Sequence, residues 1–333
     1  MMKKIFILFL VLIPILGFSI DIDTITNKII VLNEGYDRVS AIKTSKGIVI
    51  IDTHKSTADM SKMKKAIVDY FNDSNFVYVI NTHPCLEHIN GNSLFPNVPK
   101  IAHSNFAVTE KPDSNDNRIG FLNTQIPKLQ LELTTTTDTS KQNKLQKQLD
   151  YFSAMRNDFF KSALQPDLSF SDRLSVKVGD LTFEMVYIGD GAHGNSSILI
   201  YIPEEKTLFT GSALAMPPII YKTGGWITRH DVDRWTKVLD EFIGKPDLEN
   251  VVASHIKYYT KGDLTEMRDY YSLISTTIKE NQTKGLTKNE TFDMLDYKVI
   301  NKRFEIFDDN EKSKERHDNN IMILWDYFKN TCP

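Results

Sequence analysis

Four side chains that bind metals or transfer protons fall within six positions of one short stretch. The segment NTHPCLEHINGN, residues 81–92, contains His83, Cys85, Glu87 and His88. Imidazole, thiolate and carboxylate are the ligands that zinc takes in proteins, and a site that keeps one position for water is catalytic. Any one of these residues alone is more often a surface or hydrogen-bonded core group, but the four together favour a metal site.

The apolar pattern around this cluster indicates the element that would position it. The run FVYVI at 76–80 is typical of a strand, so the cluster lies on a loop at the carboxyl end of that strand. Because alternate positions of an extended turn point the same way, His83 groups with Cys85, whereas Glu87 and His88 face a second point nearby.

Three residues farther along the chain are further candidates for the same site. His193 lies in the glycine-rich segment YIGDGAHGNSS, Ser212 follows the predicted strand TLFTG, and His255 follows the predicted strand NVVAS. Loops at the carboxyl ends of strands are where open α/β architectures gather their ligands. The pattern therefore favours one site built from distant parts of the chain.

The order of predicted elements indicates two αβ halves of one layered fold. The first half has the β-branched runs NKIIVLNEG, VSAIKTSKGIVIID and NFVYVINTH, with a helix predicted over STADMSKMKKAIVDYF from its apolar spacing. The second half has the strands of DRLSVKVGDLTFEMVYIG and SSILIYIPEEKTLFTG, then a helix around DVDRWTKVLDEFI and the strand ENVVASH.

Two further regions are predicted to be helical. Residues 104–165 are polar and indicate a helical insertion between the halves, and the tail after residue 260 is mostly helical. The segments DLTE (263–266) and TKNE (287–290) each fit a capping box, so we expect a helix to begin at each of them.

The first residues read as a targeting segment. MMKK is followed by the uncharged run IFILFLVLIPILGFSI, which is shorter than the ~20 apolar residues that a membrane span usually needs. We predict a signal peptide at 1–19, a mature chain beginning near Ile20 without a stable membrane span, and a periplasmic or extracellular location. An uncleaved membrane anchor is the alternative. The formal net charge of -3 gives no reason to expect nucleic acid as a partner.

Taken together, these motifs resemble those of the metallo-β-lactamase superfamily. Members usually show His-x-His-x-Asp-His after a strand, a histidine in a Gly-His-Thr-x-Gly loop, an Asp after Leu-Phe-x-Gly and a late Gly-His. The correspondence covers about residues 28–260 and is nearest to the exported branch with a helical insertion and tail. The resemblance implies a four-layer αββα sandwich over 20–260, interrupted by the insertion at 104–165, and a helical extension over 261–333.

The resemblance also implies two metal sites built from six residues. Carried over position by position, the first set is His83, Cys85 and His193, and the second set is Glu87, His88 and His255.

Three positions depart from the family pattern. Cys85 stands where a histidine is usual, Glu87 where an aspartate is usual, and Ser212 where the metal-bridging aspartate is usual. The extra methylene of Glu87 moves its carboxylate by ~1.5 Å, which exceeds the ~0.5 Å tolerance of an active site. Because a hydroxyl is too weak a ligand to bridge two metals, we expect one tightly held zinc and a weak or empty second site.

The implied reaction is attack of a zinc-bound hydroxide on an ester, thioester, lactam or related carbonyl of a small-molecule substrate. Glu87 is then the candidate general base, and Ser212 could hydrogen-bond the attacking water. The aromatic residues that could wall the substrate are Phe152, Phe159, Phe160, Trp226 and Trp235. Such residues more commonly pack in the core, and helical spacing favours core packing for Trp235.

Two other functions remain open. A fold with three substituted ligand positions could serve as a catalytically degenerate exported binding protein. Alternatively, Cys85 could act as a redox thiol or persulfide acceptor beside a metal. A disulfide between Cys85 and Cys332 is possible outside the cytoplasm, although a thiolate ligand is favoured.

Four histidines lie outside the predicted site. His54 follows a strand end and could line the mouth of the site, whereas His103 is expected to pack near the start of the insertion. His230 and His317 lie in polar helical surroundings and are expected at the surface.

Overall fold

The computed structural model describes residues 20–106, 119–162, 165–222, 229–255 and 258–331. The predicted signal peptide, Trp226 and Cys332 lie outside the described residues, as does the side chain of Phe160. Within the described ranges, none of the helices combines the length and the apolar character that crossing a bilayer requires.

The first sheet has seven strands in the described part of the chain, and their spatial order follows the sequence. Its first four strands pair antiparallel and the next three pair parallel. The strands are β1 (Asp21–Thr24), β2 (Ile29–Glu34), β3 (Asp37–Thr44), β4 (Gly47–Ile51), β5 (Phe76–Ile80), β6 (Lys100–His103) and β7 (Leu168–Phe170).

The second sheet has six strands among the described residues, in the order β13-β12-β11-β10-β9-β8. Only the pair β11 and β12 is parallel, and the helix between these two strands supplies the crossover. The strands are β8 (Arg173–Val178), β9 (Leu181–Tyr187), β10 (Ile198–Ile202), β11 (Thr207–Gly211), β12 (Asn250–Ala253) and β13 (Tyr258–Tyr259).

Helices cover both outer faces and form the insertion and the tail. They are α1 (Thr57–Phe71), α2 (Leu86–Ile89), α3 (Gly120–Thr135), α4 (Thr139–Ser162), α5 (Val232–Ile243), α6 (Lys261–Thr283), α7 (Lys288–Met294), α8 (Tyr297–Arg303) and α9 (Glu311–Thr331). Short 3₁₀ turns occur at Asn90–Leu94, Ser104–Phe106 and Pro203–Glu205.

The two sheets share a core because the side chains of each strand alternate between its faces. Along β2, Ile29 and Val31 point between the sheets, whereas Ile30 and Leu32 pack against α1 on the outer face. On the far side, α5, α6 and α9 pack with the outward residues of β10, β11 and β12. The order of layers is helix, sheet, sheet, helix, which confirms the predicted αββα fold class.

The two helices of the insertion, α3 and α4, pack onto the short helix α2. Phe152 and Phe159 are buried in one cluster with Leu86 and Ile89 of α2. These two aromatic residues therefore belong to the core, which is the commoner role for such residues. The insertion thus supports the segment that carries part of the candidate site.

One of the two predicted capping boxes is wrong. Helix α6 begins earlier than DLTE, since Thr260 is its N-cap and exchanges side-chain and backbone hydrogen bonds with Asp263. The TKNE box is confirmed, because Thr287 and Glu290 form that reciprocal pair at the start of α7. Both segments fit the motif by residue type. In the first case Thr260 lies three residues before Asp263, so these two residues form the capping box one turn earlier.

Candidate metal centre

The candidate site lies where strands of both sheets end. The chain leaves β5 at Ile80 and turns, and the backbone carbonyl of Thr82 then accepts a 3.1 Å hydrogen bond from the amide of Ile198 at the start of β10. This bond joins the segment that follows β5 of the first sheet to the start of β10 in the second sheet. Residues that follow β4, β5, β9, β11 and β12 therefore converge on one region.

The first cluster contains His83, Cys85, Glu87 and His193. One ligand atom of each residue lies within 4.8 Å of the ligand atoms of the other three. The Cys85 Sγ atom is 3.9 Å from His193 Nε2, and the rings of His83 and His193 meet edge to face with centroids 4.7 Å apart. The structure thus brings together the three residues of the first predicted set and adds the carboxylate of Glu87.

A tight turn holds His193 in this cluster. The amide of Gly191 donates to the carbonyl of Gly194 at 2.7 Å, and the amide of His193 donates to the carbonyl of Gly191 at 3.0 Å. His193 has a φ angle of +63°, a left-handed conformation that residues other than glycine rarely adopt. Backbone strain of this kind persists where the surrounding structure holds it, and it is concentrated at functional sites.

The electrostatics of the first cluster suit a cation. Burial, reinforced by the neighbouring His88, lowers the pKa of His83 well below its usual value and lowers the pKa of His193 to about 3. Both rings are therefore neutral at physiological pH, which is the form of imidazole that binds metals. Two neutral imidazoles, a thiol and a carboxylate make a donor set that fits a zinc-type ion.

The second cluster contains Glu87, His88 and His255, with ligand atoms again within 4.8 Å of one another. Glu87 belongs to both clusters, and its Oε1 atom is 3.9 Å from His88 Nε2. The sequence pattern assigns this carboxylate to the second set only. Because glutamate is one methylene longer than aspartate, its carboxylate reaches both sets.

Ser212 lies between the two histidines of the second cluster. Its Oγ atom is 2.9 Å from His88 Nε2 and 2.8 Å from His255 Nε2. The preceding residue, Gly211, ends β11 with a φ of +56°, and a Cβ atom there would come within 2.7 Å of Thr82 Cβ. Only glycine at this position lets the chain deliver Ser212 to the two rings.

A buried carboxylate orients His88 from the other side of its ring. Asp52 follows β4, and its Oδ2 atom is 2.7 Å from His88 Nδ1. The Thr82 amide and hydroxyl each donate to Asp52 at 2.8 Å. Burial alone would lower the pKa of His88, but the Asp52 carboxylate outweighs burial and raises this pKa above its ordinary value.

His255 has an acidic neighbour of its own. Its Nδ1 atom is 3.3 Å from Asp37 Oδ1, and Lys55 Nζ is 2.6 Å from the other oxygen of the same carboxylate. Burial alone would raise the pKa of Asp37, but the contacts with His255 and Lys55 hold it below its ordinary value. Each histidine that contacts Ser212 is therefore backed by a buried aspartate.

Among the described side chains, tyrosines contact the rings of the site, whereas Phe152, Phe159 and Trp235 are buried in the core. Tyr36 is more than half exposed and stacks on His255 with centroids 4.6 Å apart. Tyr221 meets His193 edge to face at 4.9 Å. Trp235 is buried against α6, where it meets Tyr271 at 5.5 Å, so core packing is its role.

The four histidines outside the predicted site belong to neither cluster, and two of them are not where the sequence places them. His54 is buried with its Nε2 atom 3.2 Å from Glu34 Oε2, in a separate group with Asp59 and not in either cluster. His230 and His317 are buried, so their predicted surface location is wrong. Tertiary packing against the tail decides their burial, which the local sequence does not encode.

His103 has the position expected from the sequence. It lies at the end of β6, just before the start of the insertion, and it is buried with its ring stacked on Tyr187 at 4.1 Å.

Sequence reasoning missed several residues that shape the site. The sequence pattern assigns no part in the site to Asp37, Asp52, Thr82 or Tyr36. Asp37, Asp52 and Tyr36 are distant in sequence from the cluster at 83–88, and Thr82, which precedes His83, is not a residue type that signals a metal site. The six predicted ligands lie together, and their role as ligands stays a prediction.

Comparison with known proteins gives a family-wide match and a short one. A model described as "Metallo-beta-lactamase superfamily" matches residues 36–255. A curated protein from Bacteroides fragilis named "Metallo-beta-lactamase type 2" is 32% identical over 94 residues, which is 28% of this chain and 36% of that protein. The chain therefore aligns with about a third of the length of this relative.

Solved structures share the fold at low sequence identity. A metallo-beta-lactamase from Pontibacter korlensis has a TM-score of 0.51 at 16% identity, covering 76% of this chain and 99% of its own. The stereoselective inverting sec-alkylsulfatase Pisa1 from Pseudomonas sp. has a TM-score of 0.60 at 16% identity, covering 92% of this chain and 50% of its own. At these identities the likeness is one of fold.

Proposed function

The chain belongs to the metallo-beta-lactamase superfamily, which includes metal-dependent hydrolases, and from this premise we propose that it hydrolyses an ester, thioester, lactam or related bond with one tightly bound zinc. The first cluster carries the proposal, because four donor atoms from two distant loops lie within 4.8 Å of one another. His83, Cys85 and His193 would hold the ion. When bound, it would supply Lewis acidity that polarises the substrate carbonyl and lowers the pKa of a water ligand.

Glu87 is the proposed general base. Its carboxylate lies within reach of both clusters and its side chain is one-quarter exposed, so it can contact both substrate and water. A carboxylate in this position can take a proton from the attacking water and pass it to the leaving group. Tyr36 and Tyr221 flank the same region and would contact the substrate.

The hydrogen bonds of Ser212 support a single metal. His88 Nε2 and His255 Nε2 both face its hydroxyl at less than 3 Å, so the atoms that would bind a second ion already have a partner. A serine hydroxyl is also a poorer ligand for zinc than the carboxylate usual at this position.

Metal analysis and turnover together test this proposal. We expect purified full-length protein to contain about one zinc per chain and to hydrolyse a chromogenic ester, thioester or lactam in a chelator-sensitive, zinc-restored reaction. Glu87→Gln should lower kcat by about 10²–10⁴-fold. Glu34→Gln, a change of a carboxylate outside both clusters, is the matched control and should leave turnover intact.

A binding protein on the same fold is the second candidate, and the hydrogen bonds that satisfy Ser212 without a cation favour it. A binding protein would retain its fold when stripped of metal and would turn over none of the substrates.

A thiol function of Cys85 is the third candidate, because its sulfur contacts His193. Alkylation would then abolish activity while zinc remained bound.

We also propose export from the cytoplasm, on the sequence of residues 1–19. Expression of the full chain should give a periplasmic or extracellular product whose amino terminus lies near Ile20. An intact amino terminus in the membrane fraction would contradict this proposal and favour an uncleaved anchor.

A further inference from the structure

We propose that Ser212 is a nucleophile in its own right, activated by His88 and Asp52, so that the protein can form a covalent acyl-serine without a metal. Ser–His–Asp constellations occur on unrelated folds and are recognised by geometry and roles, not by sequence order. This inference uses residues of the second cluster and does not require the zinc proposed for the first.

The distances match those of an activated serine. Asp52 Oδ2 lies 2.7 Å from His88 Nδ1, and His88 Nε2 lies 2.9 Å from Ser212 Oγ. A nucleophile and its base lie within 2.6–3.2 Å in such sites, and the base is in turn oriented by a third group. Both requirements are met by side chains that come from three separate elements.

The number of hydrogens on each group fixes which atom donates in this series of hydrogen bonds. The Asp52 carboxylate accepts only, so in the neutral form of His88, which is the form that acts as a base, the ring proton is on Nδ1 and the lone pair of Nε2 faces Ser212. The hydroxyl of Ser212 therefore donates to His88. On its other side, Oγ lies 2.8 Å from His255 Nε2.

The surroundings hold this arrangement in place. Asp52 and His88 are 1% exposed and Ser212 is 5% exposed, so water competes little for their hydrogen bonds. Thr82 fixes Asp52 through two hydrogen bonds, and Gly211 permits the turn that presents Ser212. The side chains of Glu87 and His255 are 25% and 23% exposed, and they provide the opening through which a carbonyl would approach.

The chemical step is an ordinary acyl transfer. Ser212 Oγ attacks the carbonyl carbon of an ester as its proton moves to His88 Nε2, and the carbonyl π pair moves to oxygen. Collapse of the tetrahedral intermediate breaks the bond to the leaving alcohol, which takes the proton from His88. Water then attacks the acyl-serine by the same route and restores the free hydroxyl.

A fluorophosphonate ester probe tests this inference on the full-length protein as purified and after chelation. We expect one adduct by intact mass, mapped to Ser212 by peptide mass spectrometry, with a labelling rate that chelation leaves within about threefold. Ser212→Ala should abolish labelling, and His88→Gln should slow it by about 100-fold or more. Circular dichroism checks that each variant is folded.

Ser197→Ala is the matched control, since Ser197 is buried and its hydroxyl has no hydrogen-bond partner among the described residues. It should leave the labelling rate unchanged. Absence of an adduct on Ser212 in the unmodified protein would overturn the inference, as would an adduct on Cys85 or labelling that chelation abolishes. These readouts are independent of zinc content and of turnover, so a failed zinc proposal would not be mistaken for a failure here.

Discussion

The two clusters of the candidate site draw on the same loop yet differ in how their donor atoms are occupied. In the first, burial lowers the pKa values of His83 and His193, and a thiol and a carboxylate complete a set suited to zinc. In the second, His88 and His255 are backed by aspartates and share the hydroxyl of Ser212. The difference teaches that a serine at the position where the family pattern has an aspartate lets the two histidines of the second cluster share a hydrogen-bonding hydroxyl.

The largest expected effect separates the clusters by metal affinity. Cys85→Ser removes the thiolate of the first cluster and should weaken zinc binding by more than about 100-fold. This loss exceeds the loss of affinity that follows when a residue hydrogen-bonded to a metal ligand is removed. His255→Ala, in the second cluster, should change zinc affinity far less. Competition with a chromogenic chelator measures both. Equal losses in the two variants would mean that the clusters form one metal site.

Restoring a carboxylate should remove the difference between the clusters. Ser212→Asp supplies the bridging ligand of a two-metal site, so zinc content should rise from about one to about two per chain. Ser212→Asn has the same shape without the charge and should stay at about one. Mass spectrometry of the native protein counts the ions, and a content that is the same for both variants would contradict this prediction.

A buried histidine that belongs to neither cluster gives the reference for acid stability. His230 is buried beside Trp235 and Tyr327, and burial lowers its pKa to about 4. The unfolded chain therefore binds the proton more readily, so this residue destabilises the fold as pH falls from about 6.5 to 4.

The matched variant His230→Phe should lose less stability over that pH window, by up to about 3 kcal/mol. Denaturant unfolding at pH 7 and pH 4.5 measures the difference between variant and unmodified protein. Parallel pH profiles would contradict the prediction and would assign the acid sensitivity to other buried groups.

The smallest expected effect concerns the hydrogen bonds of Ser212. Ser212→Ala leaves His88 Nε2 and His255 Nε2 facing each other without the hydroxyl, which should cost about 2 kcal/mol of unfolding free energy. Ser197→Ala, at a buried hydroxyl outside the chain of hydrogen bonds, should cost less than about 0.5 kcal/mol. Urea unfolding of the metal-stripped proteins makes the comparison, and equal costs would argue against a special role for Ser212.

The sequence predicted the fold class and the meeting of the six candidate ligands because both depend on local pattern and on strand order. A continuous run of β-branched and other apolar residues marks β2, and the strand before His83 fixes which end of the sheet carries the cluster. The loop of His193 was likewise marked by its glycines.

What the sequence did not reveal depends on contacts between distant segments. Asp37 reaches His255 through an isolated bridge between β3 and the end of β12, and nothing near either residue signals the pairing. The burial of His317 follows from packing of α9 against α6 and against the segment between α7 and α8. Glu87 belongs to both clusters because of the distances from its carboxylate to their ligand atoms, and a motif defined by residue type does not contain such distances.

The contacts of Thr82 limit how the two sheets can move relative to each other at the candidate site. The same residue receives the cross-sheet hydrogen bond, positions the carboxylate of Asp52 and closes the space next to Gly211. Separation of the sheets and misalignment of His88 would therefore occur together, as one event. Substitutions that accommodate a bulkier substrate are therefore easier at the exposed side chain of Tyr36 than at Thr82, Asp52 or Gly211.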